Sequence, residues 1–180
     1  EHSTEKLKNL IYKMKLSHKI LSVILIFVLS SCGFYSFTGA SMTPEVKTVS
    51  VIYFPNKANI IQPTLSQLFT EKLKDYFVVQ TNLELEDSDG DLYFSGEITH
   101  YQIKPIAIQS NETARQNRLT IKIKVNFKNK FDKKSDFTST FSRYRDFPSD
   151  ENFNSIEETL IEEICNELVE DIFNKAVVNW

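Results

Sequence analysis

The chain has 180 residues, a formal net charge of −3 and 41% hydrophobic residues, of which many are aromatic (14 Phe and 7 Tyr). This length fits one domain with a genuine core, and the acidic balance argues against nucleic acid as the main partner. The aromatic content predicts either an aromatic core or a surface that contacts something apolar.

The first feature along the chain is a predicted bacterial lipoprotein signal. Lys15, His18 and Lys19 precede an apolar run over 20–29. This run is too short for a membrane-spanning helix, which needs about 20 residues, but it suits a signal peptide. The following residues, 29–33 (LSSCG), resemble a lipobox in which Cys32 receives diacylglycerol and an N-acyl chain. The alternative is a short buried helix followed by an ordinary cysteine.

The lipobox divides the chain into three parts. We expect 1–31 to be an upstream extension and signal peptide, with translation starting at Met14, so that the mature protein begins at Cys32. Residues 32–45 then form a lipidated tether, and 46–180 form a single domain. The first 31 residues contain five Lys and two Glu, so the mature part carries 16 basic and 22 acidic residues, a net charge of −6. Acylation of Cys32 leaves Cys165 without a disulfide partner.

Hydrophobic periodicity predicts the secondary structure of the mature part. Alternating or β-branched stretches indicate strands, whereas apolar residues spaced by three and four indicate helices. A capping box of Ser155 and Glu158 is expected to start the last helix. The predicted strands are 46–54, 78–85, 92–108, 119–127 and 137–144, and the predicted helices are 63–77 and 155–178. This order predicts an α+β fold, a two-layer sandwich of a mainly antiparallel four- to five-stranded sheet with two helices on one face.

The sequence contains no recognisable catalytic motif. His100 is the only histidine after the signal, and Cys165 lies on an apolar helix stripe, where a buried inert thiol is expected. The acidic segment 87–91 resembles the start of a calcium loop, but Gly96 stands where the distal Glu should be, so a plain turn is expected. We therefore predict a protein that is not an enzyme, with no metal and no cofactor other than the acyl chains on Cys32.

A cationic strand is the strongest candidate for a binding surface. Lys122 and Lys124 share one face of the strand 119–127, with Arg115 and Arg118 just before it. Lysine ammonium groups and arginine forks neutralise phosphate, so these four residues are predicted to bind phosphorylated lipid. Further cations come from Lys128 and from neighbouring segments: Lys104, Arg143 and Arg145. The alternative is a solvated sheet face whose lysines prevent edge pairing.

Several segments, taken in order, resemble the LptE family of lipopolysaccharide-assembly lipoproteins. They are 32–41 (CGFYSFTGAS), 49–56 (VSVIYFPN), 63–67 (PTLSQ), 118–121 (RLTI) and 169–176 (VEDIFNKA). No single segment is chemically diagnostic, and the specificity lies in the series, which covers essentially all of 32–180.

The resemblance implies a sheet with two helices on one side. It further implies a non-enzymatic, lipid-anchored protein on the periplasmic side of the outer membrane. Such a protein plugs the lumen of the LptD β-barrel and assists transport of lipopolysaccharide to the cell surface. Its implied partners are therefore an LptD-type barrel, lipopolysaccharide and the membrane. The alternative is a lipoprotein binding subunit of another outer-membrane pore or barrel-assembly complex.

Overall fold

A computed structural model describes residues 43–106 and 115–177 as a five-stranded sheet with two helices. The predicted signal, Cys32, most of the tether and 107–114 lie outside the described residues. In chain order the elements are β1 (Thr48–Val51), α1 (Leu65–Gln80), β2 (Glu84–Leu85), β3 (Leu92–Ile106), β4 (Gln116–Asn129), a 3-10 turn (Lys133–Ser135), β5 (Phe137–Pro148) and α2 (Phe153–Val177). The predicted α+β class is confirmed.

The strands form one mixed sheet in the order β2-β1-β3-β4-β5. β1 runs parallel to both of its neighbours, whereas β3, β4 and β5 are antiparallel. The β3–β4 pairing runs from Leu92 opposite Asn129 to Ile106 opposite Gln116, with one irregularity after Ile98. The sheet is thus mostly antiparallel, as predicted, and the second short strand is a separate member of it.

Alternation along β4 decides where the core lies. Its inward row is fully or almost fully buried and consists of Leu119, Ile121, Ile123, Val125 and Phe127. The residues between them are exposed or half-buried. Helix α2 packs over β5 and β4, α1 packs over β1 and β2, and the two helices contact each other. Both helices therefore cover one face, which confirms the predicted two-layer sandwich.

The core is largely aromatic. The ring of Phe77 on α1 lies 4.7 Å from Phe94 on β3 and 5.1 Å from Phe173 on α2, centre to centre. Phe94 in turn lies 4.8 Å from Phe127 on β4. These tilted contacts are favourable beyond the area that they bury. The described residues therefore confirm the first of the two explanations for the aromatic content, an aromatic core.

The predicted strand over 78–85 is wrong except for its last two residues, Glu84 and Leu85. Helix α1 continues through Gln80, and Thr81 ends it, its backbone N–H and its hydroxyl both donating to the Phe77 carbonyl at 3.0 and 2.6 Å. The β-branched pair Val78 and Val79 suggested a strand, but burial of Phe77 keeps this turn helical. Tertiary packing here overrides local propensity.

Several other boundaries differ from expectation, among them the end of β1 and the start of α2. β1 ends at Val51, although the Ile52 N–H still donates to the Phe94 carbonyl at 2.9 Å, and the Phe54 N–H donates to the buried Thr70 hydroxyl at 3.1 Å. The predicted capping box is wrong, since α2 begins at Phe153 and Ser155 lies inside its first turn. The Asn152 side chain accepts from the Asn154 N–H at 3.1 Å, and the Ser155 hydroxyl donates to the Asn152 carbonyl.

Two arginines on the inward face of β5 clamp α2 against the sheet edge. Arg143 makes a bidentate pair with Asp171, with N–O distances of 2.6 and 2.5 Å. Arg145 bridges Glu163 at 2.8 Å and Glu167 at 2.6 Å. The bond from Arg145 holds the pKa of the Glu167 carboxyl below its usual range, against a smaller opposing effect of burial.

Gly96 on β3 provides a test of the sheet packing. A Cβ at this position would lie 2.0 Å from the backbone oxygen of Lys124 and 2.6 Å from the Phe54 ring. Backbone cannot move aside cheaply, so Gly96→Ala should lower the free energy of unfolding by about 1–3 kcal/mol in urea denaturation. Ser95→Ala, one residue earlier on the solvent face, is the matched control and should cost less. Equal losses would contradict the close approach of β3 and β4 at Gly96.

The clamp predicts a pH dependence of stability. A carboxyl with a lowered pKa stabilises the fold above its unfolded value, here 4.5, and that stabilisation is lost as the pH falls through the folded value. Glu167→Gln should therefore lose less stability than the parent between about pH 6 and about pH 3. Urea unfolding across this range measures the difference. Glu158→Gln, which leaves the clamp intact, should follow the parent, and identical curves for all three would refute the contribution of Glu167.

Candidate functional site

The outward row of β4 carries the predicted cationic residues. We call Arg118, Lys122, Lys124 and Lys128 the basic face. These positions alternate with the buried residues of β4, so their side chains lie on the face opposite the helices. Lys122 and Lys124 are exposed. Three of the four predicted lipopolysaccharide-binding candidates therefore share one open surface.

Lys122 and Lys124 have mostly polar neighbours across the strands. Lys122 lies between His100 on β3 and Ser142 on β5. Lys124 lies between Glu97 and Thr140. Within 43–106 and 115–177, neither lysine forms an ion pair. Their ammonium groups are thus available to an external anion, which a compact phosphate can approach from solvent.

Arg118 lies on the basic face, but its charge is already used. Its guanidinium makes a bidentate pair with Asp146, at 2.7 and 2.8 Å, and lies 3.7 Å from the centre of the Tyr144 ring. The bond to Asp146 raises the pKa of Arg118 above its ordinary value. An anion would have to compete with Asp146 for the arginine fork, so Arg118 is a weaker candidate than the two lysines.

Arg115 stands apart from the row. It is exposed, immediately precedes β4, and its carbonyl accepts the Ser149 N–H at 3.0 Å. Lys104 on β3 is opposite Arg118 and is also exposed, so it extends the basic face sideways. Arg115 lies just before β4 and outside the basic face. That it binds lipopolysaccharide stays a prediction.

Arg143 and Arg145 do not belong to this surface. The sequence suggested them as neighbours of the cationic strand, but they lie on the inward side of β5 and bind acidic residues of α2. Tyr144 and Asp146, between and after them, face outward and hold Arg118. The alternation of β5 separates the inward arginines from the outward Tyr144 and Asp146. The predicted strand 137–144 is too short to place Arg145 and Asp146.

Cys165 and Tyr101, two further reactive side chains, have structural roles in the fold. Cys165 is buried on α2, and burial raises the pKa of its thiol to about 12, which disfavours the nucleophilic thiolate. The buried Tyr101 donates its hydroxyl hydrogen to Glu157 at 2.5 Å. The described residues contain no cluster of three or more His, Cys, Asp or Glu that could hold a metal ion.

Neither helix of the described chain is both long and apolar enough to span a membrane.

Several proteins of known structure resemble the fold, all at low identity. A minor lipoprotein from Acinetobacter baumannii is 14% identical with a TM-score of 0.49, covering 72% of this chain and 90% of its own. The rare lipoprotein B from Shewanella oneidensis is 12% identical with a TM-score of 0.43, covering 71% and 92%. The PelC dodecamer from Paraburkholderia phytofirmans is 7% identical with a TM-score of 0.45, covering 77% and 94%. No curated protein matches the sequence significantly.

The decisive comparison is at the level of the family. The lipopolysaccharide-assembly family LptE matches residues 46–176, from just before β1 to the last turn of α2. The match includes every strand, both helices and the whole basic face. The chain therefore belongs to the LptE family of lipopolysaccharide-assembly proteins.

Proposed function

We propose that the protein is an outer-membrane lipoprotein that plugs an LptD-type β-barrel and assists transport of lipopolysaccharide to the cell surface. Family membership over 46–176 is the observation that carries this proposal. Acyl chains on Cys32 would hold the protein at the periplasmic side of the outer membrane. Several chains are needed, because a single acyl chain binds a bilayer only marginally.

The basic face gives this role a chemical basis. Lipopolysaccharide carries phosphate groups, and ammonium–phosphate contacts are charge-assisted and stronger than neutral hydrogen bonds. Lys122 and Lys124 are exposed and without ion pairs in the described chain, so a phosphate can bind them without first breaking a protein contact. In this proposal the two lysines are the main contacts, Arg118 contributes from the end of the row, and Arg115 contributes from the residue before β4.

The proposed role requires no catalysis. The only thiol of the described residues is buried, with its pKa raised to about 12. His100 lies on the solvent face of β3 opposite Lys122. The protein would act by binding, as a partner of the barrel and a contact for the transported lipid.

Neutralising the lysines tests the binding surface. Lys122→Gln with Lys124→Gln should weaken lipopolysaccharide binding at least about tenfold, because two charge-assisted contacts are lost. Arg118→Gln should have a smaller effect, since its guanidinium already binds Asp146. Stability should change little, because exposed charges contribute little to it. Binding is measured by titration of the purified chain with lipopolysaccharide, and stability by urea unfolding.

The matched control removes the same charge from exposed lysines outside the basic face. Lys47→Gln with Lys57→Gln neutralises two lysines that form no ion pair in the described chain, and it should leave lipopolysaccharide binding near the parent value. Equal losses in the two double variants would mean that net charge, and not the basic face, governs binding.

The barrel partnership is tested by purification and depletion. A chain tagged after Trp180 should co-purify with one LptD-type barrel from membranes in mild detergent. Depletion of the protein should remove lipopolysaccharide from the cell surface and spare other barrels. The Cys32→Ser chain, which cannot be acylated, should recover less barrel. Recovery of no barrel, or loss of many barrels on depletion, would reject the proposal in favour of another envelope complex.

A further inference from the structure

A second cationic site lies at the end of the sheet where β3 begins and β4 ends. There a cavity of about 460 Å³ is lined by Lys128, Lys130 and Lys133 on one side. Asp89, Asp91 and Tyr93 lie on the other. Its volume is within the range of small-ligand sites, about 300–1,000 Å³. Only Lys128 is shared with the basic face, so the cavity is a separate place on the molecule.

Part of the charge in this cavity is already neutralised. The Asp91 carboxylate accepts the N–H groups of Lys47 and Thr48, at 2.9 and 3.3 Å, and lies 3.5 Å from the Lys130 ammonium. These backbone hydrogen bonds, with the nearby Lys130 charge, lower the pKa of Asp91 despite partial burial. Asp91 and Lys130 therefore form a structural unit that fixes the start of β3 against β1.

The other charged groups of the cavity remain open to a ligand. Within the described parts of the chain, Lys128, Lys133 and Asp89 form no ion pair. The acidic residues of the adjoining turn do not compensate the lysines. Asp132 accepts the Lys134 N–H at 3.1 Å and Asp136 accepts the Asn129 N–H at 2.7 Å. The open charges are thus two ammonium groups and one carboxylate.

The backbone that carries Asp89 is held rigidly. Asp89 has a φ of 62°, a left-handed conformation that aspartate and asparagine adopt more readily than most residues. Gly90 fixes it there, because its N–H donates to the buried Ser50 hydroxyl at 2.8 Å. A Cβ on Gly90 would lie 2.6 Å from the Ser50 nitrogen, so only glycine allows this approach.

The charges of the cavity select the class of ligand. A simple dianion would be attracted by the two lysines but repelled by the Asp89 carboxylate. A simple cation would be attracted by Asp89 but repelled by the two lysines. A zwitterion with a phosphate and an amine satisfies all three groups at once. We propose that the cavity binds a phosphoethanolamine headgroup, with the phosphate on Lys128 and Lys133 and the amine on Asp89.

The position of the cavity points to a membrane lipid as the source of this headgroup. Asp91 in the cavity wall accepts the N–H groups of Lys47 and Thr48, where the chain enters β1. Cys32 precedes Lys47 by 15 residues, which span at most about 50 Å. The choice of a lipid source rests on the proposed anchoring at Cys32, because an acyl anchor would keep the cavity within this distance of the bilayer. The chemistry of the cavity does not depend on that anchoring.

Calorimetric titration of the full chain in an uncharged detergent tests the site. The probes are phosphoethanolamine, inorganic phosphate and soluble dihexanoyl phosphatidylethanolamine. We expect saturable binding of the first and third, each several-fold tighter than inorganic phosphate. Lys128→Gln with Lys133→Gln should weaken both at least about tenfold, since two charge-assisted contacts are lost. Asp89→Asn, which tolerates the left-handed backbone, should reduce their affinity to that of phosphate.

Distinct outcomes would overturn distinct parts of the proposal. Phosphate binding as tightly as phosphoethanolamine, with both improved by Asp89→Asn, would mean a plain anion site. Binding of phosphoethanolamine without the short-chain lipid would reject a lipid source. No saturable binding of any probe would reject the site itself.

A control separates this site from the proposed lipopolysaccharide surface. Lys122→Gln with Lys124→Gln should lose lipopolysaccharide binding but keep phosphoethanolamine binding. If phosphoethanolamine binds while neither lipopolysaccharide nor a barrel does, the proposed function fails and the cavity stands.

Discussion

The alternation of β4 is the constraint on which the rest of the structure depends. Its inward row, from Leu119 to Phe127, is buried under the two helices, so its outward row must face away from them. Because the side-chain period of a strand is two, a slip of one residue would bury Lys122 and Lys124 and expose the core row. Such a slip is prohibitively unfavourable, since buried unpaired ammonium groups are costly. One register therefore specifies both the core and the cationic surface.

The clamp between β5 and α2 rests on a match of spacings. Arg143 and Arg145 are two residues apart on a strand, which places them about 6.6 Å apart. Glu163, Glu167 and Asp171 are four residues apart on the helix, or about 6 Å per step. Each arginine can therefore bridge successive acidic residues, as Arg145 does with Glu163 and Glu167. The first turn of α2 contains no acidic residue, and the effect of the helix dipole falls off within one turn. The positions of Glu163 and Glu167 are therefore explained by these specific partners.

Elements that bury one face along many residues are predictable from the sequence, whereas features that depend on contacts across the core are not. Long periodic segments such as β4 and α2 were predicted almost to their ends, because one buried face repeats along many residues. The β-branched pair Val78 and Val79 led to a wrong strand prediction. The last turn of α1 is helical, and Phe77 in this turn contacts Phe94 and Phe173 across the core. The capping box failed for a related reason: Ser155 and Glu158 had the right spacing, but Asn152 was available one turn earlier. The alternation within the predicted strand 137–144 already places Arg143 on the face of Phe137 and Phe141, whereas Arg145 lay beyond the predicted end of β5.

The distribution of charge explains how an acidic protein presents a cationic surface. The predicted mature chain has an excess of six acidic residues, yet Glu163, Glu167 and Asp171 are bound by arginines from the inward side of β5. Asp91, Asp132 and Asp136 accept backbone N–H groups at the ends of strands and in the turn. These carboxylates are directed into the fold or along its turns, whereas Lys122 and Lys124 have no such partner in the described chain. Salt screens exposed charges beyond about 10 Å at 0.1 M ionic strength. A phosphate approaching the basic face therefore responds to the charges nearest to it, which are the lysines and Glu97 opposite Lys124, and not to the net charge of the chain.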